Sequence, residues 1–164
     1  MEIRKATLAD LDAILEIYSD ARAYMRKTGN MTQWTGGHPA PPVVTADILA
    51  GDLYLCTDGT EILGVFFFKV CDDPTYGTIY DGAWKNDRQY AVIHRVAVSK
   101  NSHGKGVAAF CFSYCYSRFP NLKIDTHRDN LPMQRALTKS GFSYCGIIHL
   151  LNGDERMAYQ KCED

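Results

Sequence analysis

The run from His94 to Ala109, HRVAVSKNSHGKGVAA, constrains the fold more than any other part of the chain. A β-branched stretch ends in a loop carrying Gly104-Lys105-Gly106, and an apolar, helix-like segment follows at once. Strand, glycine turn and helix start in that order form a cradle for phosphate groups. Glycine lets backbone N–H groups approach an anion closely, and the first turn of a helix adds partial positive charge.

The rest of the chain sets this unit in a mixed sheet. Residues 3–6 read as a strand, followed by a helix in which Leu11, Ile14, Leu15, Tyr18, Ala21 and Met25 recur at helical spacing until Gly29. Residues 30–44 hold Trp34, a glycine pair and three prolines and read as irregular, with Thr45 opening a short helix to Ala50. Residues 53–57 and 61–71 read as strands of a hairpin around Asp58-Gly59. Residues 72–89 form a long polar and aromatic loop with Tyr76, Tyr80 and Trp84, of a length that tends to be functional or mobile. Residues 90–98 are a strand, 104–118 a helix and 122–127 a strand, which suggests a parallel pair with a right-handed crossover. Asn130 caps a helix with Pro132 in its first turn and Gly141 at its exit. Residues 142–150 and 155–161 form a last hairpin around Asn152-Gly153. The expected fold is α+β: a mixed, mostly antiparallel sheet with one central parallel pair, flanked by about four helices.

A second motif follows the glycine loop. Asn130-Leu-Pro-Met-Gln-Arg-Ala-Leu-Thr-Lys-Ser-Gly141-Phe142 is an Asn-initiated helix closing on Gly-Phe. With Val96-Ala97-Val98 and the loop from Asn101 to Gly106, it resembles the GNAT superfamily of acetyl-CoA-dependent N-acetyltransferases, and the run from Gln33-Trp34 through Pro42, with Asp81-Gly-Ala-Trp84, resembles a bacterial subgroup of it. The family signature is Gln or Arg, two residues, Gly, one residue, then Gly or Ala. Asn101 departs from its first position, and His103 stands where many members have Arg.

The resemblance implies two parallel strands that splay at their C-terminal ends, with pantetheine lying in the gap along Val96, Ala97 and Val98 as an added strand. It implies that His103, Gly104, Lys105, Gly106, Val107 and Ala108 hold the coenzyme A diphosphate, that Asn130 touches the cofactor, and that Lys105 and Arg135 lie within reach of its phosphates. Acetyl-CoA is then the co-substrate. The reaction needs no metal, and no His, Cys or Asp spacing matches a ligand pattern.

Acetyl transfer requires a neutral amine, a stabilised oxyanion and a tolerated thiolate. A backbone N–H of Val96, Ala97 or Val98 suits the oxyanion. His94 is the candidate general base, since imidazole titrates near neutrality; members of the arylalkylamine type carry His at the matching place. Its alternative role is a structural strand residue, because strand parity near a bulge decides where it points. Leu137 occupies the position where many members place an acidic Tyr. Tyr144, Tyr114 or Tyr116 would have to substitute, or the thiolate leaves unassisted.

Asp125 and His127 are candidates for the acceptor cleft, or else serve the strand end. Trp34, Tyr80 and Trp84 suit an apolar or cationic amine, or else pin long loops. The leading expectation is acetylation of a primary amine on a small molecule through a ternary complex. The alternatives are a protein lysine or N-terminal acetyltransferase, and a non-catalytic acyl-CoA-binding sensor.

The remaining properties set limits. The 164 residues suit a single domain over 1–164. A net charge of −1 without a basic block argues against nucleic acid. No apolar run approaches the ~20 residues of a membrane span, and the chain starts without a secretory segment, so a cytoplasmic location is expected. Six cysteines lie mostly in apolar runs and read as free core residues. The edge of the C-terminal hairpin is open to pairing with a second copy as a homodimer.

Overall fold

A computed structural model of the chain describes residues 1–163. Its seven strands are β1 (Glu2–Lys5), β2 (Leu53–Asp58), β3 (Glu61–Val70), β4 (Ala91–Val98), β5 (Asn121–Thr126), β6 (Ser143–His149) and β7 (Glu155–Cys162). They form one sheet in the order β1-β2-β3-β4-β5-β7-β6. Every neighbouring pair is antiparallel except β4 and β5. Four helices cover the faces: α1 (Leu11–Lys27), α2 (Pro41–Leu49), α3 (Val107–Arg118) and α4 (Leu131–Lys139). This is the expected mixed sheet with one parallel pair and four flanking helices. The last hairpin is folded in, so that β7 lies between β5 and β6 and β6 becomes the edge.

The apolar run of β3 follows from burial on both sides. Val65 and Phe67 join the core under α1 and α2, with Ile14, Tyr18, Val44 and Leu55. Phe66 and Phe68 join the core under α3 and α4, with Val107, Phe112, Leu137 and Ile93. Alternation alone divides the run between two layers.

α2 begins four residues before the expected Thr45. Pro41 and Pro42 occupy its first turn, where a missing N–H removes no helical bond and the pyrrolidine ring presets φ. Prolines read as loop formers here start the helix.

The parallel contact between β4 and β5 is short. Only Ala91 opposite Leu122 and Val92 opposite Lys123 are in register. Beyond them the strands diverge, and β4 carries a bulge where its register against β3 shifts between Val65 and Phe67. The bulge moves side chains across the sheet: Val92 and Ala97, five residues apart, face the same layer. Arg95 sits in the bulge at φ +50°. A non-glycine residue there is strained by about 1–3 kcal/mol and needs external support. The Tyr18 hydroxyl donates to the Arg95 carbonyl at 2.8 Å, and the Arg95 guanidinium binds Asp47 at 2.8 and 3.0 Å while lying 4.6 Å over the Phe67 ring. α1, α2 and β3 thus hold the bulge together.

Among the described residues no helix is long and apolar enough to cross a membrane. All six cysteines are free thiols.

Candidate active site

Two cavities meet at the diverging strands. The first, about 600 Å³, lies on the α1 side and is lined by Trp34, Asp73, His94, Asp125 and Arg156 among others. The second, about 320 Å³, runs between α3 and α4 along Val96, Ala97 and Val98 to the glycine loop. Met25, Val96, Asn130 and Met133 line both, so the cavities join where the strands part.

The groove at α3 is built from main chain. Gly104 and Gly106 have φ of +76° and +77°, and nothing lies within 4 Å of where either Cβ would be. Only glycine takes this backbone without strain while leaving the space open. The amides of Val107, Ala108 and Ala109 open α3 and have no intrahelical acceptor; the first such bond runs from Phe110 to the Gly106 carbonyl at 3.0 Å. Ser102, only 1% exposed, lines the groove with a hydroxyl that has no partner. An orphaned hydroxyl, open glycines and free helix-start amides fit an elongated ligand ending in phosphate. His103 lines this groove too, with its ring 4.5 Å from that of Tyr24. Lys105 is exposed and does not line it.

Asn130 joins the cavities through its cap. Its side chain accepts from the Met133 amide at 3.2 Å, starting α4, and donates to Gln33 at 3.1 Å.

The larger of the two cavities centres on His94. Its Nε2 lies 2.9 Å from Asp73 Oδ2 and its Nδ1 4.0 Å from Asp125 Oδ2. Burial pushes the Asp73 carboxyl up, but hydrogen bonds from His94, the Thr75 hydroxyl and the Thr75 amide outweigh it, and the pKa falls to about 2. Asp73 is therefore ionised at neutral pH and can only accept. That places a hydrogen on His94 Nε2, so that in the neutral ring the lone pair lies on Nδ1. On the other side, the buried Tyr76 hydroxyl donates to Asp125 Oδ2 at 2.6 Å. Burial, then the Asp125 charge, drives the Tyr76 phenol well above its ordinary value, so it stays a donor.

The structure brings His94, Asp125 and Trp34 to one cavity and Val96 through Val98, His103, Gly104, Gly106, Val107 and Ala108 to the other. Trp34 packs edge-on to Tyr18 with centroids 5.6 Å apart. Other expected residues lie elsewhere. Tyr144 is half exposed on β6, against Tyr159, and lines neither cavity; nor do Tyr114 and Tyr116. Tyr80 bridges to Ile147 and stacks on His149 at 4.7 Å. Trp84 donates its indole N–H to the Tyr76 carbonyl at 2.9 Å, pinning the loop that carries Asp73 and Tyr76. His127 is held by the Thr32 hydroxyl at 2.8 Å and the Asp129 amide at 3.0 Å, and lines an adjoining cavity of about 490 Å³.

Asp73, Tyr76 and Arg156 are the site groups that the sequence motifs miss. For the first two, the length of the 72–89 loop was the only signal. Among the described residues no group of three or more His, Cys, Asp or Glu is arranged to hold a metal ion.

Comparison with known proteins agrees with this geometry. Residues 11–142 match the acetyltransferase (GNAT) family. No curated protein matches the chain. An acetyltransferase of the GNAT family from Streptococcus agalactiae is similar over 99% of this chain and 95% of its own, with 32% identity and a TM-score of 0.92. Two more distant proteins share the fold. A GNAT-family acetyltransferase from Listeria monocytogenes has 18% identity and a TM-score of 0.69 over 98% of this chain and 93% of its own. A ribosomal-protein-alanine N-acetyltransferase from Brucella melitensis has 18% identity and a TM-score of 0.66 over 99% and 100%. The family match covers most of the chain and includes both the glycine loop and the Asn130 helix: this protein belongs to the GNAT family of acetyltransferases.

Proposed function

We propose that the chain is an N-acetyltransferase that moves an acetyl group from acetyl-CoA to a primary amine of a small molecule, with both substrates bound together. The observation that carries this reading is the junction of the two cavities at Val96, Asn130 and Met133, beside His94. One cavity has the features of a phosphate-ended thioester site. The other, at about 600 Å³, lies within the usual range for small-molecule pockets. A cleft of this size with Trp34 in its wall suits a small acceptor.

The coenzyme would be held by the main chain of Val96 to Val98, by the Gly104–Ala108 turn and by the Ser102 hydroxyl, and it supplies the activated acetyl group. Transfer makes a C–N bond, breaks a C–S bond and releases a thiol and a proton. The residues of this chain prepare the amine for that step. Asp125 attracts the incoming ammonium, and His94 Nδ1 takes its proton directly or through one water. Asp73 holds the ring in the required tautomer and balances the imidazolium that forms. A β4 amide near the bulge stabilises the oxyanion. Tyr144, far from the junction, is not needed in this scheme, and the thiolate leaves toward solvent.

Two measurements test the reading. Calorimetry should show coenzyme A binding that is lost in a Gly104→Val, Gly106→Val double variant. Steady thiol release from acetyl-CoA should appear across part of a primary-amine panel. Coenzyme A binding without thiol release from any amine would leave only the sensor function.

A further inference from the structure

Arg156 stands apart from every other charged group at the site. It lies on β7 on the α1 side of the sheet, is only 8% exposed, and lines both the acceptor cavity and the adjoining cavity that holds His127. No described carboxylate lies within ion-pairing distance of it. Its one protein hydrogen bond runs from Nη1 to the Glu155 carbonyl at 2.9 Å. A guanidinium has five N–H donors, and burying one without a counter-charge is costly unless something supplies the missing acceptors.

Arg95, Asp73 and Asp125 are each held by other groups, and Asp154, which lines the same two cavities, stays beyond ion-pairing distance of Arg156. Arg95, in the same cavity, is closed by Asp47 at 2.8 and 3.0 Å. Asp73 binds His94, and Asp125 accepts from Tyr76. Burial weakens the hold of Arg156 on its proton, and the charges of Asp125 and Asp154 offset this only in part.

We propose that Arg156 binds an anionic group of the acceptor, and that the acceptor is an amine bearing one carboxylate, such as an α-amino acid. A carboxylate accepts two parallel bonds from a guanidinium. One negative charge matches the one unpaired guanidinium. A phosphate dianion would add repulsion from Asp125 and Asp154. The amine end then falls to Asp125 and His94, so the cavity separates the two ends of a zwitterion. The amine half rests on the acyl-transfer reading above, whereas the carboxylate half can be measured without turnover.

The test uses matched pairs: phenylalanine with phenethylamine, leucine with isopentylamine, and their N-acetyl products. With coenzyme A present, calorimetry on the whole protein should show N-acetylphenylalanine binding roughly 10- to 100-fold more tightly than N-acetylphenethylamine, the range expected for one charged hydrogen-bonded contact. The same ratio should appear in kcat/KM, mainly through KM. Arg156→Gln should abolish the preference and Arg156→Lys should keep part of it, with unchanged coenzyme A affinity showing that both variants are folded. Equal affinity for the two products, binding of neither, or a preference that survives Arg156→Gln would overturn the proposal. A preference that is present while no amine releases thiol would refute acetyl transfer and leave the carboxylate site standing.

Discussion

The Tyr76 hydroxyl donates to Asp125 Oδ2 at 2.6 Å, and the same oxygen lies 4.0 Å from His94 Nδ1. A loop residue therefore aims the carboxylate that faces His94. Tyr76→Phe should cost about 1–3 kcal/mol, because it leaves a largely buried carboxylate oxygen without its donor. Urea denaturation measures it. Since the phenol is held protonated by burial, the difference between the two proteins should not change across neutral and mildly alkaline pH.

His94→Ala should lower kcat by a factor of about 10² to 10⁴, the usual contribution of a positioned base. A variant with full activity at every pH would exclude His94 from that role.

Asp73 gives a pH signature. Its pKa lies at about 2 against an ordinary 3.8, so the folded state favours the ionised form. That stabilisation is complete above 3.8 and disappears as pH falls toward 2. The melting temperature of the native protein should exceed that of Asp73→Asn at neutral pH, and the gap should close within that interval. Acid scans of the two proteins side by side decide it.

Gly146→Ala should destabilise by about 2–4 kcal/mol. The position has φ +147°, and a Cβ there would meet the Tyr80 carbonyl oxygen at 2.6 Å. Strain and overpacking add at this point, where the 72–89 loop crosses the β6 bulge. Thermal denaturation is the readout.

Gly106→Ala separates stability from binding. The new methyl group enters open space at φ +77°, so folding should lose only about 1–2 kcal/mol. Coenzyme A affinity should fall at least about tenfold, because the methyl group occupies the approach to the helix-start amides. Equal affinity in a folded variant would place the phosphates elsewhere.

What the sequence revealed and what it hid have physical causes. The mixed sheet was readable because Asp58-Gly59 and Asn152-Gly153 mark tight hairpin turns and the strand–helix–strand order over 90–127 calls for a parallel pair. α2 was cut short because prolines signal loops and helix starts alike. The cavity around His94 stayed obscure for a different reason: its members meet only in space. Asp73 and Tyr76 come from a loop with no periodicity, and Arg156 sits in a strand where an arginine ordinarily faces water. The bulge at Arg95 changes which residues of β4 share a face, and no local pattern announces it.

Among the described residues, two rungs join strand β4 to β5, and outside the named strands the Tyr80–Ile147 bridge also ties residues 1–98 to the C-terminal strands. The sheet is thus two half-sheets on a narrow seam, and one end of that seam is already unzipped. A guest whose amides bond along β4 while its body rests on α4 would act as a clasp across the opening. Amide exchange in β4 beyond Val92 and in β5 beyond Lys123 should then slow together when the guest arrives.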